Sequence, residues 1–597
     1  MNRLPGFTVL FPRARPASGL IVREGAFEQT PGDIVLSHHG LSGIVARGEG
    51  PGGRIAVFIG SPVMGNAVNR EAAARALSGA EKPQDFIYAL KGEYLALLLD
   101  PVSGTLRVFA DRYGSYPLYY AVSAESVCAA NHYLDLARRI KNWPGFSLRP
   151  EKAYEFFTLQ RLMGTETHDT LSRLLPPAGV LTLTPGQEPA VTRYRHVDYT
   201  RQVQGALAER VEDFTARFAA AMKTLSAPRM GIYLSGGHDS RFVAMTAAPG
   251  VDCYTLGFTD NYEVTCARRI AAACGHAHHY TPLPDDYFEK TLDAAAYLSG
   301  GMYATDHALF LGDVAADAPP VSLHGHGLDF MFQGMYLHAA PQRVMGRETY
   351  VRRMTPFPAD MPRHFIDTVS FRLKFNAAPF YTDHAGTYAA ALYETVRDVY
   401  EAGVRLTRDP SALWEYLIFH HPARHYTFTN VLSKRTRGEV RTPSLDHDVY
   451  DFYLSLPDSY RLHADVLRGA MRRVNSVAAM IPAGNHALPA AMGPYAKTAW
   501  RAGRKILRHV TGSSRFGVPG AADRTWPDRN DYFASHPVYL SAARAALDDP
   551  AFRDFLSFID WRALAARGDA ILAVPYGGAF WVSLLTYYRF YKHLHSA

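Results

Sequence analysis

Cysteine is scarce in this chain: its four thiols, Cys128, Cys253, Cys266 and Cys274, form no C-x-x-C pair. That excludes a disulfide framework and a thiolate zinc site, and it fits a reducing, cytoplasmic setting. Long apolar runs are also missing, none reaching the ~18 residues that a membrane span needs. The opening stretch MNRLPGFTVLFPRARP is broken by Pro5, Pro12 and Pro16, so no signal peptide is expected. Nor is charge concentrated. A net charge of +7 over 597 residues leaves one dense basic stretch, KTAWRAGRKILRHV, Lys497–Val510. There Arg501, Lys505 and Arg508 recur at helical spacing among Trp500, Ile506, Leu507 and Val510. The preferred reading is a solvated basic helix with its apolar side packed on the domain. Contact with an anionic membrane surface or an acidic partner is the alternative. No nucleic-acid partner is expected.

What is present is a globular composition, 48 % apolar and 20 % charged, in a chain too long for one core, so two or three domains are expected. The first part reads mostly as strands with turns: RIAVFIG (Arg54–Gly60), YLALLLD (Tyr94–Asp100), TLRVFAD (Thr105–Asp111) and YPLYYAV (Tyr116–Val122). EKAYEFFTLQRLM (Glu151–Met163) reads as a helix, and LLPPAGVLTLTPGQEPAVTRYRHVDY as a closing hairpin. From Arg201 the texture changes. ALAERVEDFTARFAAAMKTL has the helical period, followed by the strand of MGIYLSGG, another helix and the strand DCYTLGF. This alternation predicts a parallel, doubly wound α/β sheet. After Pro341 the pattern is mainly helical. The boundary is placed near residue 200, giving domains 1–200 and 201–597.

The most informative stretch is GIYLSGGHDSRFVAM, Gly231–Met245. Where a parallel strand ends and a helix begins, backbone N–H groups and the helix dipole make an anion site. Gly236 and Gly237 clear room for a phosphate, and Ser235 and Ser240 add hydroxyls. A carboxylate at Asp239, beside phosphates, makes sense mainly as a holder of Mg²⁺. No lysine follows as in a Walker loop, so this is a different device.

Ser235-Gly-Gly-His-Asp-Ser240 resembles the pyrophosphate loop of the PP-loop ATP pyrophosphatases, and the chain as a whole resembles the asparagine synthetase family. KGEYLALLLDPVSGTLRVFADRYGSYPLYYA is similar to the later part of that family's N-terminal domain. Glu439, Arg441, Pro443, Leu445 and Asp446 match its Glu-x-Arg-x-Pro-x-Leu-Asp run. LHGHGLDFMFQGMY (Leu323–Tyr336) corresponds to its second nucleotide motif, keeping Gly325, Gly327 and Asp329. The resemblance implies an α/β architecture: an N-terminal Ntn-hydrolase-like, β-rich (αββα) domain, then a PP-loop synthetase domain with a helical C-terminal part. It implies ATP and Mg²⁺ as cofactors. Leu234, Ser235, Gly236, Gly237, Asp239, Ser240, Gly257, Leu323, His324 and Gly325 would hold the nucleotide, and Asp239 and Asp329 the metal. Glu263, His326 and Arg468 would take part in catalysis. The activity implied is AMP-forming amide synthesis: a small-molecule or peptide carboxylate is adenylated and then passed to ammonia or an amine. A homodimer is left open.

Three departures stand beside the resemblance. The residue after Met1 is Asn2, where a glutamine-hydrolysing member exposes a nucleophilic cysteine, so glutaminase activity of the chain's own is not expected. His326 and Phe330 replace both acids of the second motif. Ala464, with His463 beside it, stands where the family often has a phosphate-neutralising lysine; Arg241, Lys434, Arg435 and Arg437 are the candidates to replace it. The histidine groups His276–His279, His38–His39 and His420–His425 lack the partners of a zinc site. Two alternatives to plain amide synthesis follow: ring closure, as in lasso-peptide isopeptide cyclases or β-lactam synthetases, or a catalytically weakened nucleotide-binding scaffold.

Overall fold

The computed structural model describes residues 5–13, 20–25, 33–199, 205–308, 319–369, 376–484, 488–511, 529–574 and 576–596. Met1, Asn2 and the expected boundary at residues 200 and 201 lie outside the described residues.

The first part is two β-sheets face to face. One has the order Arg173–Leu174, Tyr119–Val122, Ser126–Ala130, Gly6–Pro12, Ile34–His39, Leu20–Glu24. The other centres on the antiparallel strands Ile55–Met64, Lys91–Asp100 and Thr105–Ala110, with Leu97 opposite both Val57 and Val108. Alternation explains the layering, because successive side chains of a strand face opposite ways. Leu95, Leu97 and Leu99 meet Phe7, Val9 and Leu36 between the sheets. Ala96 and Leu98 face outward onto Ala73, Ala74 and Leu77 of the helix Arg70–Gly79. On the far side, the helices Tyr133–Ile140 and Pro150–Leu159 cover the first sheet through Tyr133, Leu136 and Phe156. The order helix, sheet, sheet, helix is the αββα arrangement expected.

The second part holds a five-stranded parallel sheet. Its order is Ala277–Pro282, Asp252–Gly257, Met230–Tyr233, Val321–Leu323, Glu439–Arg441. Chain order therefore reverses on either side of Met230–Tyr233, which makes that strand the switch point where a crevice opens beyond the strand ends. Ile232 sits level with Cys253 on one side and Leu323 on the other.

The strand expectations of the first part hold, and the expected helix Glu151–Met163 runs as Pro150–Leu159, ending at Gln160 in the left-handed region. The mainly helical reading after Pro341 is interrupted by the sheet strand Glu439–Arg441 and by a hairpin, Ala339–Val344 paired with Arg347–Met354. Its two-residue turn, Met345-Gly346, has both residues at positive φ, the geometry that suits the twist of paired strands.

The edge strand Glu439–Arg441 joins the two parts. Glu439 accepts from Arg70 at 2.6 Å and Arg441 at 2.7 Å, and from the Ser61 hydroxyl. Glu93 takes Arg435 at 2.8 Å and the Thr442 N–H at 2.6 Å. The apolar core also crosses: Tyr133, Phe156 and Phe157 pack on Tyr587, Phe590 and Phe580 of the C-terminal helix Gly577–His595.

Candidate active site

The glycine loop leaves the switch-point strand and enters the helix Asp239–Thr246. Ser235 N–H donates to Ser240 Oγ at 2.9 Å, and the two hydroxyls are 2.9 Å apart. Gly236 N–H reaches Glu263 Oε1 at 3.3 Å, so one loop amide already faces a carboxylate, the charge type such a loop binds. Space is tight. A Cβ at Gly236 would lie 3.0 Å from Gly484 N, and one at Gly325 would lie 2.9 Å from the Asp239 carbonyl carbon.

Arg241 clamps the loop from below. Its guanidinium donates to Gly236 O at 3.0 Å and Gly237 O at 3.1 Å, and onward to Ala478 O at 3.0 Å and Pro482 O at 2.9 Å. Fully buried and turned to these carbonyls, it shapes the loop and leaves no charge for the cleft. Burial lowers it to about 10.

Beyond the loop lies a cleft of about 350 Å³. It gathers Leu234, Ser235, Gly237, Asp239, Ser240, Glu263, His324, Gly325, His326 and Asp329, ten of the residues singled out from the sequence. Gly236 lies within the same loop, and Leu323 is buried at the end of its strand. Four of the fourteen expected residues do not line the cleft: these two, Gly257 and Arg468. Gly257 spends its carbonyl on Leu283 N–H and the Tyr280 hydroxyl, each at 3.0 Å, and Leu256 takes its place in the wall. Arg468 pairs with Asp465 and donates to His463 O at 2.9 Å.

The acidic pair fits a hard cation. Burial and the neighbouring Asp329 push the Asp239 carboxyl well above its ordinary range, and burial lifts Asp329 to about 6. Two half-buried carboxylates in one cleft repel one another unless a positive charge joins them. Among the described residues no group of three or more His, Cys, Asp or Glu side chains is arranged to hold a metal. A Mg²⁺ at this pair would therefore complete its shell with phosphate oxygens and water, as that ion commonly does.

Lys434 enters the same cleft from the helix Thr429–Arg435. Its ammonium donates to Asn430 Oδ1 and sits 5.2 Å from the Tyr233 ring centre. Burial lowers it to about 7. His324 and His326 belong to the same set. His326 N–H donates to His324 Nδ1 at 3.0 Å, which leaves the His324 proton on Nε2, 3.2 Å from Asn430 Oδ1. Burial, then Lys434, holds both rings neutral, His326 at about 4. His326 thus offers hydrogen bonds and not the ready proton that its ordinary value near neutrality suggests; its Nε2 is buried with no partner among the described residues.

Of the four cations named as replacements for the missing lysine, Lys434 is the one that lines the cleft. Arg435 is committed to Glu93 and the Ser115 carbonyl. Phe330 turns to the core: its ring stacks on Phe419, centres 4.3 Å apart, and meets the His326 ring edge-on at 5.5 Å, so the second lost acid has become packing. Ala464 caps the helix Asp465–Val474 with φ 57°.

Residues 214–483 match the family described as asparagine synthase, a little under half of the chain. No curated protein matches. Among solved structures, the glutamine phosphoribosylpyrophosphate amidotransferase from B. subtilis complexed with ADP and GMP is 11 % identical, with a TM-score of 0.17 over 38 % of this chain and 61 % of its own. A structure described as the allosteric regulatory enzyme of purine biosynthesis is 10 % identical, with a TM-score of 0.18 over 39 % and 62 %. The chain thus spans less than two thirds of either, and so loose a likeness adds nothing to the layering described above.

Proposed function

Because residues 214–483 carry an asparagine synthase domain, we propose that this protein is an ATP-dependent amide ligase that forms AMP and pyrophosphate. It activates a carboxylate and passes the acyl group to ammonia or an amine. The observation that carries this reading is the meeting of a glycine loop, two half-buried carboxylates and a buried lysine in one cleft at the switch point of a parallel sheet.

ATP would supply the activating adenylyl group, and a bound Mg²⁺ would offset the charge of the departing pyrophosphate. The chain's own residues position and neutralise. Gly236, Gly237 and Gly325 leave room for close backbone approach, and Ser235 and Ser240 present hydroxyls. Asp239 and Asp329 would hold the metal. Lys434 brings the cation that the Ala464 position lacks, and a phosphate beside it would favour its protonated form. His324 and His326, held neutral, add hydrogen bonds without repelling Lys434. A cation or donor aimed at charge that builds in the transition state is worth roughly 3–4 kcal/mol.

The reading includes no glutaminase activity of the chain's own. The one cysteine of residues 1–200, Cys128, is buried in the strand Ser126–Ala130, and burial pushes its thiol up to about 11. A protonated thiol is a poor nucleophile toward an amide.

Calorimetric titration with Mg²⁺-ATP tests the reading. Binding should require Mg²⁺ and weaken at least about tenfold in Asp239→Asn. AMP and pyrophosphate should then appear in step with an amide product. A well-folded protein that binds no Mg²⁺-ATP, or an Asp239→Asn variant that binds it as tightly, would overturn the proposal.

A further inference from the structure

A second cavity, of about 340 Å³, lies against the cleft, and His307 and Asn430 line both. Asn430 is the residue whose Oδ1 holds Lys434 and faces His324, so the chamber opens beside the groups expected to handle charge. Its wall is of another kind. Phe288, Tyr532, Phe533, Tyr539, Val582 and Leu585 are among its apolar and aromatic lining residues. Both threonine hydroxyls in the wall are already engaged: Thr291 donates to Tyr287 O at 2.9 Å, and Thr305 lies 2.9 Å from the Thr586 hydroxyl. Asp306 is the acidic side chain of the lining, so a second carboxylate on a ligand would meet its charge there.

The wall's origin matters. The residues at 532, 533, 539, 582 and 585 all come from helices beyond residue 483, where the family match ends. Helices of the C-terminal part therefore build an apolar chamber onto the cleft. A cavity of this size, apolar with a few polar groups at one end, is the usual form of a site for a small organic molecule.

We propose that this chamber takes the apolar body of the acyl substrate, so that the carboxylate activated in the cleft belongs to an acid with an aliphatic or aromatic tail and not to a compact dicarboxylate such as aspartate. The assignment rests on the ligase reading for what happens to the carboxylate, but the chamber's preference is measurable without turnover.

The probes are n-alkanoates from butanoate to octanoate, with aspartate alongside, titrated calorimetrically into the full-length protein saturated with Mg²⁺ and a non-hydrolysable ATP analogue. Affinity should rise about two- to fourfold per methylene as the chain enters the chamber, and aspartate should bind more weakly than octanoate. Ala295→Trp, which fills the chamber from the helix Tyr287–Ser299, should flatten the series and leave nucleotide affinity unchanged. Should that variant fail to fold, Leu585→Ala enlarges the same space and should extend the rise to longer chains. A flat series in the wild type, tighter binding of aspartate, or a slope indifferent to both variants would overturn the proposal. Failure of the ligase reading looks different: no nucleotide binds, whatever the alkanoates do.

Discussion

Replacing Lys434 by methionine should stabilise the free protein and weaken the nucleotide-bound one, a reversal that a structural lysine would not give. Lys434 is 4 % exposed, and among the described residues no carboxylate pairs with its ammonium. Burial lowers it from an ordinary 10.5 to about 7. The sign follows from that depression. Below about pH 10.5 the unfolded chain carries the proton freely, while the folded site resists it until pH falls to about 7. The penalty is therefore absent above pH 10.5, grows through the window between, and is complete below pH 7. By linkage it amounts to roughly 4 kcal/mol at pH 7 and roughly 2 kcal/mol at pH 9. Methionine has a similar volume and no charge to bury, and Asn430 keeps its contact with His324 at 3.2 Å. Unfolding of the full-length protein at pH 7 and pH 9, with and without Mg²⁺-ATP, reads the effect. Without nucleotide, Lys434→Met should be the more stable at pH 7, with about half that gain at pH 9. With nucleotide the order should reverse, and turnover should fall about 10²–10³-fold. A variant less stable than wild type at both pH values without nucleotide, or one that binds nucleotide unchanged, would refute the reasoning.

Gly325→Ala places a Cβ 2.9 Å from the Asp239 backbone, so it should shift that carboxylate and weaken Mg²⁺-ATP binding about tenfold or more; near-wild-type melting with lost affinity in calorimetry is the expected pair of results. His168, His420 and His447 are held neutral by burial, each at about 3 against an ordinary 6.5. Below pH 6.5 the unfolded chain takes up protons that the folded one refuses, so stability should fall by about 1.4 kcal/mol per pH unit for each histidine; urea unfolding that is level from pH 7 to pH 5 would contradict this. Glu439→Gln leaves Arg70 and Arg441 without their shared carboxylate. Breaking a buried ion pair costs about 3–5 kcal/mol, and limited proteolysis should then find the two parts of the chain more easily separated.

What the sequence made legible was local. The glycine loop, the turn around Gly325 and the Glu439–Arg441 strand each carry their own strand-and-turn signals, and a parallel sheet brings them together whenever their strands become neighbours. The charge balance of the cleft was less open to reading, because it depends on which side of a short helix faces inward. Lys434 was one of four candidate cations, and the clue that favours it is spacing: Val431, three residues earlier, is buried on the same face. Phe330 shows the converse. As a substitution it reads as a lost acid, yet its ring goes into the aromatic stack with Phe419. Met345-Gly346 lacks the Asn-Gly or Asp-Gly signature of such a turn, and the strands around it are polar, so the hairpin left little trace in the sequence. The histidines follow the same logic. His326 looked able to exchange protons near neutrality, but Lys434 and the burial around it remove that option. A lysine and two neutral histidines now line a cleft in which the expected lysine and both expected acids are gone. Those changes are therefore better understood together, as one redistribution of charge, than as three separate losses of function.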